Sequence, residues 1–557
     1  MWRDLRYRLG GFIRLRMRRS LSRTLAAASS CAVVQEATLR RILRLNATSR
    51  FSRLHELHRV NNPTELRRAL PICGYDVFES AIVEMRQGDQ AALLGEHNRL
   101  LMFALTSGTT ASTKFIPVTR SFLGDYRRGW QNWGIRAFDA HSSLHRSQIV
   151  MLCSAHDKQH TPSGIPCGSI SGLAQSMQSV AVRAMYSIPH DVVRVDDPLE
   201  KLRLSALFAV ADPHVGMVTT ANPSTLVQFA QFMEGEPDAL LKHLCDGMLP
   251  ETGGLPQRVR LRMASRLRRR RMHGRQLRDL VNRHGKLTPR LVWPGLSLLA
   301  VWTGGSVAGY LPLLRQLYGD VPLRDHGLSA SEGRMTIPLE DETDSGLLDI
   351  ESHFFEFVPE EEWGSESPTV LLAHELEVGR SYFILLTTSS GLTRYDIHDV
   401  VQCTGFLGTT PMLRFLHKGA HVSSLTGEKL TESQVVAAVS SVLAGDACAP
   451  AFSVTPCWGD PPGYLLLLES ALAGRVGLVE DVEQALQCQN MEYAEKRRSG
   501  RLAPLGVQVI PDGTFARLAC DRQQGPGGTA EQYKHPFLFS RLGFWDEFQA
   551  RYLSVEN

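Results

Sequence analysis

The chain has 557 residues, 43% of them hydrophobic and 21% charged, with a formal net charge of +4. That length predicts two or three domains, the composition is that of a soluble globular protein, and so small a charge excludes a polycation that holds its partner by bulk electrostatics. Ten cysteines are scattered singly with no Cys-x-x-Cys pair, which excludes a disulfide framework and a zinc ribbon and points to reduced thiols in a cytoplasmic protein.

Residues 1–33 read as a basic N-terminal extension. Arg3, Arg6, Arg8, Arg14, Arg16, Arg18, Arg19 and Arg23 face a single acid, Asp4, and interleave with Leu5, Phe12, Ile13, Leu15 and Met17. A basic amphipathic helix follows, with two readings: peripheral membrane contact or targeting, or a first helix packed on the domain with its arginines solvated. No apolar run approaches the roughly 18 residues of a membrane-spanning helix. From 34 to 120 the pattern is helical with polar joints, and Leu39, Ile42 and Leu43 share one buried stripe. SQIVMLCS (147–154) predicts a buried strand, followed by a loop rich in Gly, Ser and Pro to 172. A helical region from 223 to 285 ends in an arginine-dense stretch. Strands are then predicted at 298–303, 321–324, 354–358, 370–372, 382–388 and 400–404, which makes 34–420 an α/β domain. A short polar stretch, 418–431, marks a boundary. Beyond it Thr431 and Gln434 have capping-box spacing before an apolar run from Val435. Strands at 452–455, 464–468 and 507–510 around a helix at 479–497 make 421–557 a small α/β domain.

The sharpest local feature is LMFALTSGTTASTKFIPVT, residues 101–119. Its apolar start reads as a strand feeding Thr106, Ser107, Gly108, Thr109 and Thr110. Glycine lets backbone approach an anion closely. Successive amides and hydroxyls then donate to phosphate oxygens, and Lys114 adds a mobile cation. An ordinary polar turn shares this composition, and no G-x-x-x-x-G-K-[ST] loop occurs. DHGLSASEG (325–333) supplies Glu332, a hard oxygen ligand of the kind Mg²⁺ takes beside nucleotide phosphates. GLTRYDIHD (391–399), between two predicted strands, supplies Asp399 as an acceptor for ribose hydroxyls.

Taken in order, these segments resemble the auxin-responsive (GH3) family of acyl-acid amido synthetases, among the adenylate-forming enzymes, and look closest to its bacterial members. SGIPCGSISG (163–172), WPGLSLLAVWTGGS (293–306), HFFEF (353–357) and LTTSSGLTRYDIHDVVQCTGF (386–406) extend the resemblance over nearly the whole chain. It implies an α/β fold: a large N-terminal adenylate-forming domain with mixed sheets, and a smaller mobile α/β C-terminal domain. It implies ATP and Mg²⁺, a carboxylic acid activated as its adenylate with release of pyrophosphate, and transfer of the acyl group to an amine or amino acid. In that scheme Ser107, Gly108, Thr109, Thr110 and Lys114 meet the phosphates, and Thr303, Gly304, Gly305 and Ser306 line the adenine. Ser331 and Glu332 sit by the metal and phosphates, and Tyr395 and Asp399 by the ribose. Lys429 meets the α-phosphate, and Lys534 is swung in by the small domain, so Lys429, Lys534 and Glu332 form the implied catalytic set. Ala111, Leu328, Thr393 and His398 depart from the family pattern, His398 standing in place of a glycine. Two alternatives stay open: delivery to a thiol of coenzyme A or a carrier, and a non-catalytic nucleotide-binding protein.

Other features read as structural. RLRRRRMHGR (266–275) lacks aromatic interleaving and reads as a solvated helix, so no nucleic-acid partner is expected. LHELHR (54–59) lacks HExxH zinc spacing. His156 and His160 either touch substrate or are loop histidines.

Overall fold

The computed structural model describes residues 7, 10–106, 113–251, 256–267, 269–419, 422–443, 452–469, 477–524 and 533–553. Four parallel strands lie in chain order, Gln148–Met151, Val215–Thr219, Leu298–Ala300 and Leu323–Arg324. Val215–Thr219 and Leu298–Ala300 are buried throughout, as expected where crossover helices cover both faces of a parallel sheet. One of those helices, Pro223–Gly235, starts from the Asn222 side chain with proline in its first turn. Proline fits there because the missing N–H would have had no helical partner.

A seven-stranded antiparallel sheet follows, ordered Thr336–Ile337, Gly346–Leu348, Thr410–Lys418, Tyr395–Leu407, Ser381–Thr387, Phe354–Pro359, Leu371–Leu372. Its core merges with the helices Cys31–Leu45 and Asp76–Arg86 through Leu39, Leu43, Phe78, Phe355 and Leu386. A smaller sheet pairs Leu100–Thr106 with Lys114–Thr119, so the helical pattern expected over 34–120 gives way to strands where the apolar run begins. The 21-residue helix Arg120–Ala140 leaves that sheet directly, capped by Thr119, whose hydroxyl accepts from Phe122 N–H at 3.2 Å.

The N-terminal helix, Gly11–Ala27, packs on Arg120–Ala140. Thr24 donates to Glu351 at 2.7 Å and accepts from Asn132 at 3.0 Å. Arg18 grips Asp139 through two nitrogens. This is the packed-helix reading for its inner face, while Phe12, Ile13 and Leu15 remain exposed. No helix of the described residues is long and apolar enough to cross a membrane.

Toward the C-terminus, Thr431 and Gln434 form the capping box that their spacing predicts, opening the helix Glu432–Val442. Strands Phe452–Cys457, Gly463–Glu469 and Gly506–Ile510 form one sheet. The helix expected over 479–497 is two, Leu478–Gln489 and Met491–Arg498. Asn490, at φ −138°, breaks the first and caps the second by accepting from Tyr493 N–H at 2.8 Å.

Candidate active site

The carboxyl ends of the parallel strands open onto one large cleft, of about 2950 Å³, lined by Met151, Thr219, Trp302 and His326. This is the end at which open α/β sheets bind ligands. Ordinary small-molecule sites enclose roughly 300–1000 Å³, so the cleft has room for two substrates at once. The long helix adds Tyr126, Trp130 and Trp133, with Trp130 edge-on to Trp133 at 5.3 Å and to His326 at 4.9 Å. His326 is buried and its Nε2 lies 3.0 Å from the Thr219 hydroxyl. Burial, helped by the nearby Arg334 charge, pushes its pKa down to about 3. Aromatic and aliphatic walls make this end of the cleft suited to an apolar ligand body.

The polar end is built on the antiparallel sheet. Register sets Asp399 opposite Lys418, and their side chains pair at 2.8 Å. Lys418 also donates to the Ile397 carbonyl at 3.2 Å. Burial works against the Lys418 charge, but Asp399, Glu332 and Asp396 outweigh it and its pKa rises. Glu332 is buried, and burial raises its pKa despite the pull of Lys418 and Lys114. Lys534, from the C-terminal region, reaches into the same cleft and is exposed to it. Its ammonium lies 4.7 Å from the Trp302 ring centre and 5.5 Å from that of Phe415. Enclosure by these walls lowers its pKa against the attraction of Asp399. The preceding residue is tied down as well, since the Tyr533 carbonyl accepts from the Asn222 side chain.

The structure therefore gathers Lys114, Ser331, Glu332, Tyr395, Asp399 and Lys534 around one space. Tyr395 is almost wholly buried, edge-on to Phe78, and burial followed by the Glu332 charge drives its pKa far up. Ser107, Gly108, Thr109, Thr110 and Ala111 lie outside the described residues, although Thr106 and Lys114 on either side are paired. Thr303 is turned onto Asp325, donating its N–H at 2.5 Å and its hydroxyl at 2.8 Å. Gly304 and Gly305 pack against Asp344 and Phe415, and the Ser306 side chain is outside the described set. It is the neighbouring Trp302 that faces the cleft. Lys429 is exposed in a left-handed turn, φ 46°, and is not among the residues lining the cleft.

Sequence reasoning missed Lys418, Trp302 and Asp396. GLTRYDIHD was expected between strands, but Tyr395–Leu407 is a single strand starting inside it, because Arg394 turns the chain at φ 48° just before. Only the pairing of that strand with Thr410–Lys418 reveals Lys418 as the partner of Asp399. His156 lines no part of the cleft, and His160 sits exposed on the short strand Gln159–His160.

Comparison with known proteins agrees with this architecture. The models of the GH3 family N-terminal, central and C-terminal domains match residues 20–323, 346–418 and 433–542. The chain belongs to the GH3 family. It is 22% identical to an indole-3-acetic acid-amido synthetase of Arabidopsis thaliana over 94% of this chain and 92% of that protein. It is 24% identical to a jasmonoyl–L-amino acid synthetase of Oryza sativa subsp. japonica, over 90% and 91% of the two chains. Among solved structures, the GH3.15 acyl acid amido synthetase superposes with a TM-score of 0.82 at 18% identity, covering 96% of this chain and 95% of that one.

Proposed function

We propose that the chain is an ATP-dependent acyl-acid amido synthetase, a ligase that adenylates a carboxylic acid and transfers the acyl group to an amine or amino acid. The observation that carries this reading is Lys534, brought by the C-terminal region to a cleft that also holds Glu332 and the Asp399–Lys418 pair. A carboxylate is a poor electrophile, and ATP converts it to a mixed anhydride with AMP. Negative charge grows on the α-phosphate as the acid attacks, and fixed cations stabilise it. Lys534 and Lys114 supply that charge. Asp399, buried and held by Lys418, accepts from the ribose, and Tyr395 lines the same space. Ser107, Gly108, Thr109 and Thr110 bind the phosphates, and Thr303, Gly304, Gly305 and Ser306 support the adenine side. Lys429 enters only when the C-terminal region turns, since it stands off the cleft here.

Mg²⁺ fits the donor set: Glu332 is one buried carboxylate, and this ion commonly takes one or two carboxylates together with phosphates and water. Bound there, it would neutralise charge on the phosphates. The apolar wall of Trp130, Trp133 and Met217 receives the body of the acid. The functional units are residues 1–33 as extension, 34–420 as adenylation domain and 421–557 as small domain, in a cytoplasmic enzyme.

The test is a product balance. With ATP, Mg²⁺, a panel of aryl, indolyl and fatty acids and mixed amino acids, the expected products are AMP, pyrophosphate and an N-acyl amino acid. Formation of ADP, or an adenylate consumed only by a thiol, sinks the reading.

A further inference from the structure

Two residues near the start of the strand Tyr395–Leu407 adopt left-handed backbone without being glycine: Arg394, φ 48°, and His398, φ 58°. Arg394 has a structural reason. It is buried, its Nε donates to Glu356 at 2.8 Å, and its Nη1 donates to the Leu70 carbonyl at 2.7 Å. His398 lies in a bulge of the strand, where Gly419 N–H donates to its carbonyl at 2.8 Å, but its side chain stays out of the core. Its ring is half exposed and lines the cleft, one residue before Asp399. Trp363 stands edge-on to it at 6.0 Å.

Asp396 holds this histidine at two points. One carboxylate oxygen accepts the His398 backbone N–H at 2.7 Å, and the other lies 2.6 Å from Nδ1. Asp396 is itself 4% exposed, so it is a fixed support rather than a passing surface contact. Glycine adopts φ near +60° without penalty, whereas a β-carbon there is strained, and such strain concentrates at functional sites. With Nδ1 engaged by a buried carboxylate, Nε2 is left as the ring nitrogen for a ligand. A histidine oriented in this way is the usual arrangement of a general base.

We propose that His398, oriented by Asp396, is the general base of the amide-forming half-reaction. This rests on the amido-synthetase reading above. The amine nitrogen bonds to the acyl carbonyl carbon of the adenylate, and the N–H proton released on bonding passes to His398 Nε2. The bond from that carbon to the AMP phosphate oxygen breaks, its electron pair leaves on AMP, and His398 later returns its proton to solvent. Asp396 keeps the imidazole in the tautomer with Nδ1 protonated and stabilises the imidazolium that forms. Adenylation requires no such base, because the acid arrives already ionised.

The test separates the two half-reactions in the full-length protein. ATP–pyrophosphate exchange without amine reads adenylation, and single-turnover amide formation from the preformed adenylate reads transfer. In His398→Gly and Asp396→Asn, the ratio of transfer to exchange is expected to fall by about tenfold or more. Hydroxylamine, whose nitrogen after attack is acidic enough to lose its proton to water unaided, should react at nearly the wild-type rate in both variants. Glycine suits the backbone at 398, so a folded His398→Gly protein is expected, checked by its thermal melt. An unchanged ratio overturns the proposal. Equal loss with amine and hydroxylamine also overturns it, because that marks His398 as a positioning residue alone. Absence of exchange in the wild type defeats the amido-synthetase reading instead, so the two failures are distinguishable.

Discussion

At the scale of single residues, several side chains that face the cleft are also expensive to bury, and their titration reports on that burial. His326 is the clearest case. A free imidazole titrates near 6.5, and burial between the long helix and the parallel sheet pushes this one down to about 3. The neutral ring is thus fully accommodated above about pH 6.5, and its stabilisation is lost as pH falls from there toward 3. A His326→Gln variant has no proton to gain. Between about pH 7.5 and pH 5 the stability advantage of the wild type over this variant should shrink by about 2 kcal/mol. Denaturant unfolding at the two pH values checks this, and a constant gap contradicts it. Glu332 and Asp399 stand out at this scale because each sits in a motif whose residue types suit phosphate and ribose, whereas Lys534 stands out only through the family resemblance; all three line the one cleft. The Asp396–His398 pair does not stand out. In the sequence His398 is a departure from the family pattern, and only its backbone angle and the two contacts from Asp396 give it a role.

Elements meet at a buried ion cluster that sets the start of the strand carrying Tyr395 and Asp399. Glu356, on Phe354–Pro359, receives Arg394 at 2.8 Å and Arg67, from the helix Pro63–Ala69, also at 2.8 Å. Glu356 is 1% exposed. Breaking a buried pair by removing one charge leaves the other uncompensated and costs about 3 kcal/mol. Glu356→Gln should therefore lower stability by about that amount and weaken ATP binding by releasing the Arg394 turn. Chemical denaturation and nucleotide titration read the two effects, and a variant of wild-type stability would refute the cluster's role. Most strands in this region were visible as short apolar runs, since period and β-branched content are local properties. Their order was not, because strand pairing joins residues far apart in sequence. Thr410–Lys418 went unpredicted, and with it went the lysine opposite Asp399. The Thr431–Gln434 capping box was legible in full, because a helix start depends on neighbours only three residues apart.

Across the whole molecule, the cleft is walled by both parts of the chain, and Lys534 is the lysine that the C-terminal region brings to it. Ring contact between Tyr310 and Phe537, together with the Asn222–Tyr533 hydrogen bond, anchors that region beside Lys534. Lysines from both ends of the chain, Lys114 and Lys534, thereby line the same cleft as Asp399. The order of motifs made the two-part architecture and the family readable from sequence. Which lysine stands in the cleft and which stands off it depends on how the C-terminal region is docked, and that is a tertiary fact. If Lys534 completes an adenylating site, ATP–pyrophosphate exchange will separate the wild type from Lys534→Ala. With a carboxylic acid present and no amine, the wild type should exchange label and the variant should lose about a hundredfold or more of that rate while still binding ATP. Equal exchange in both proteins, or ATP binding without exchange for any acid, would mean that Lys534 completes no such site.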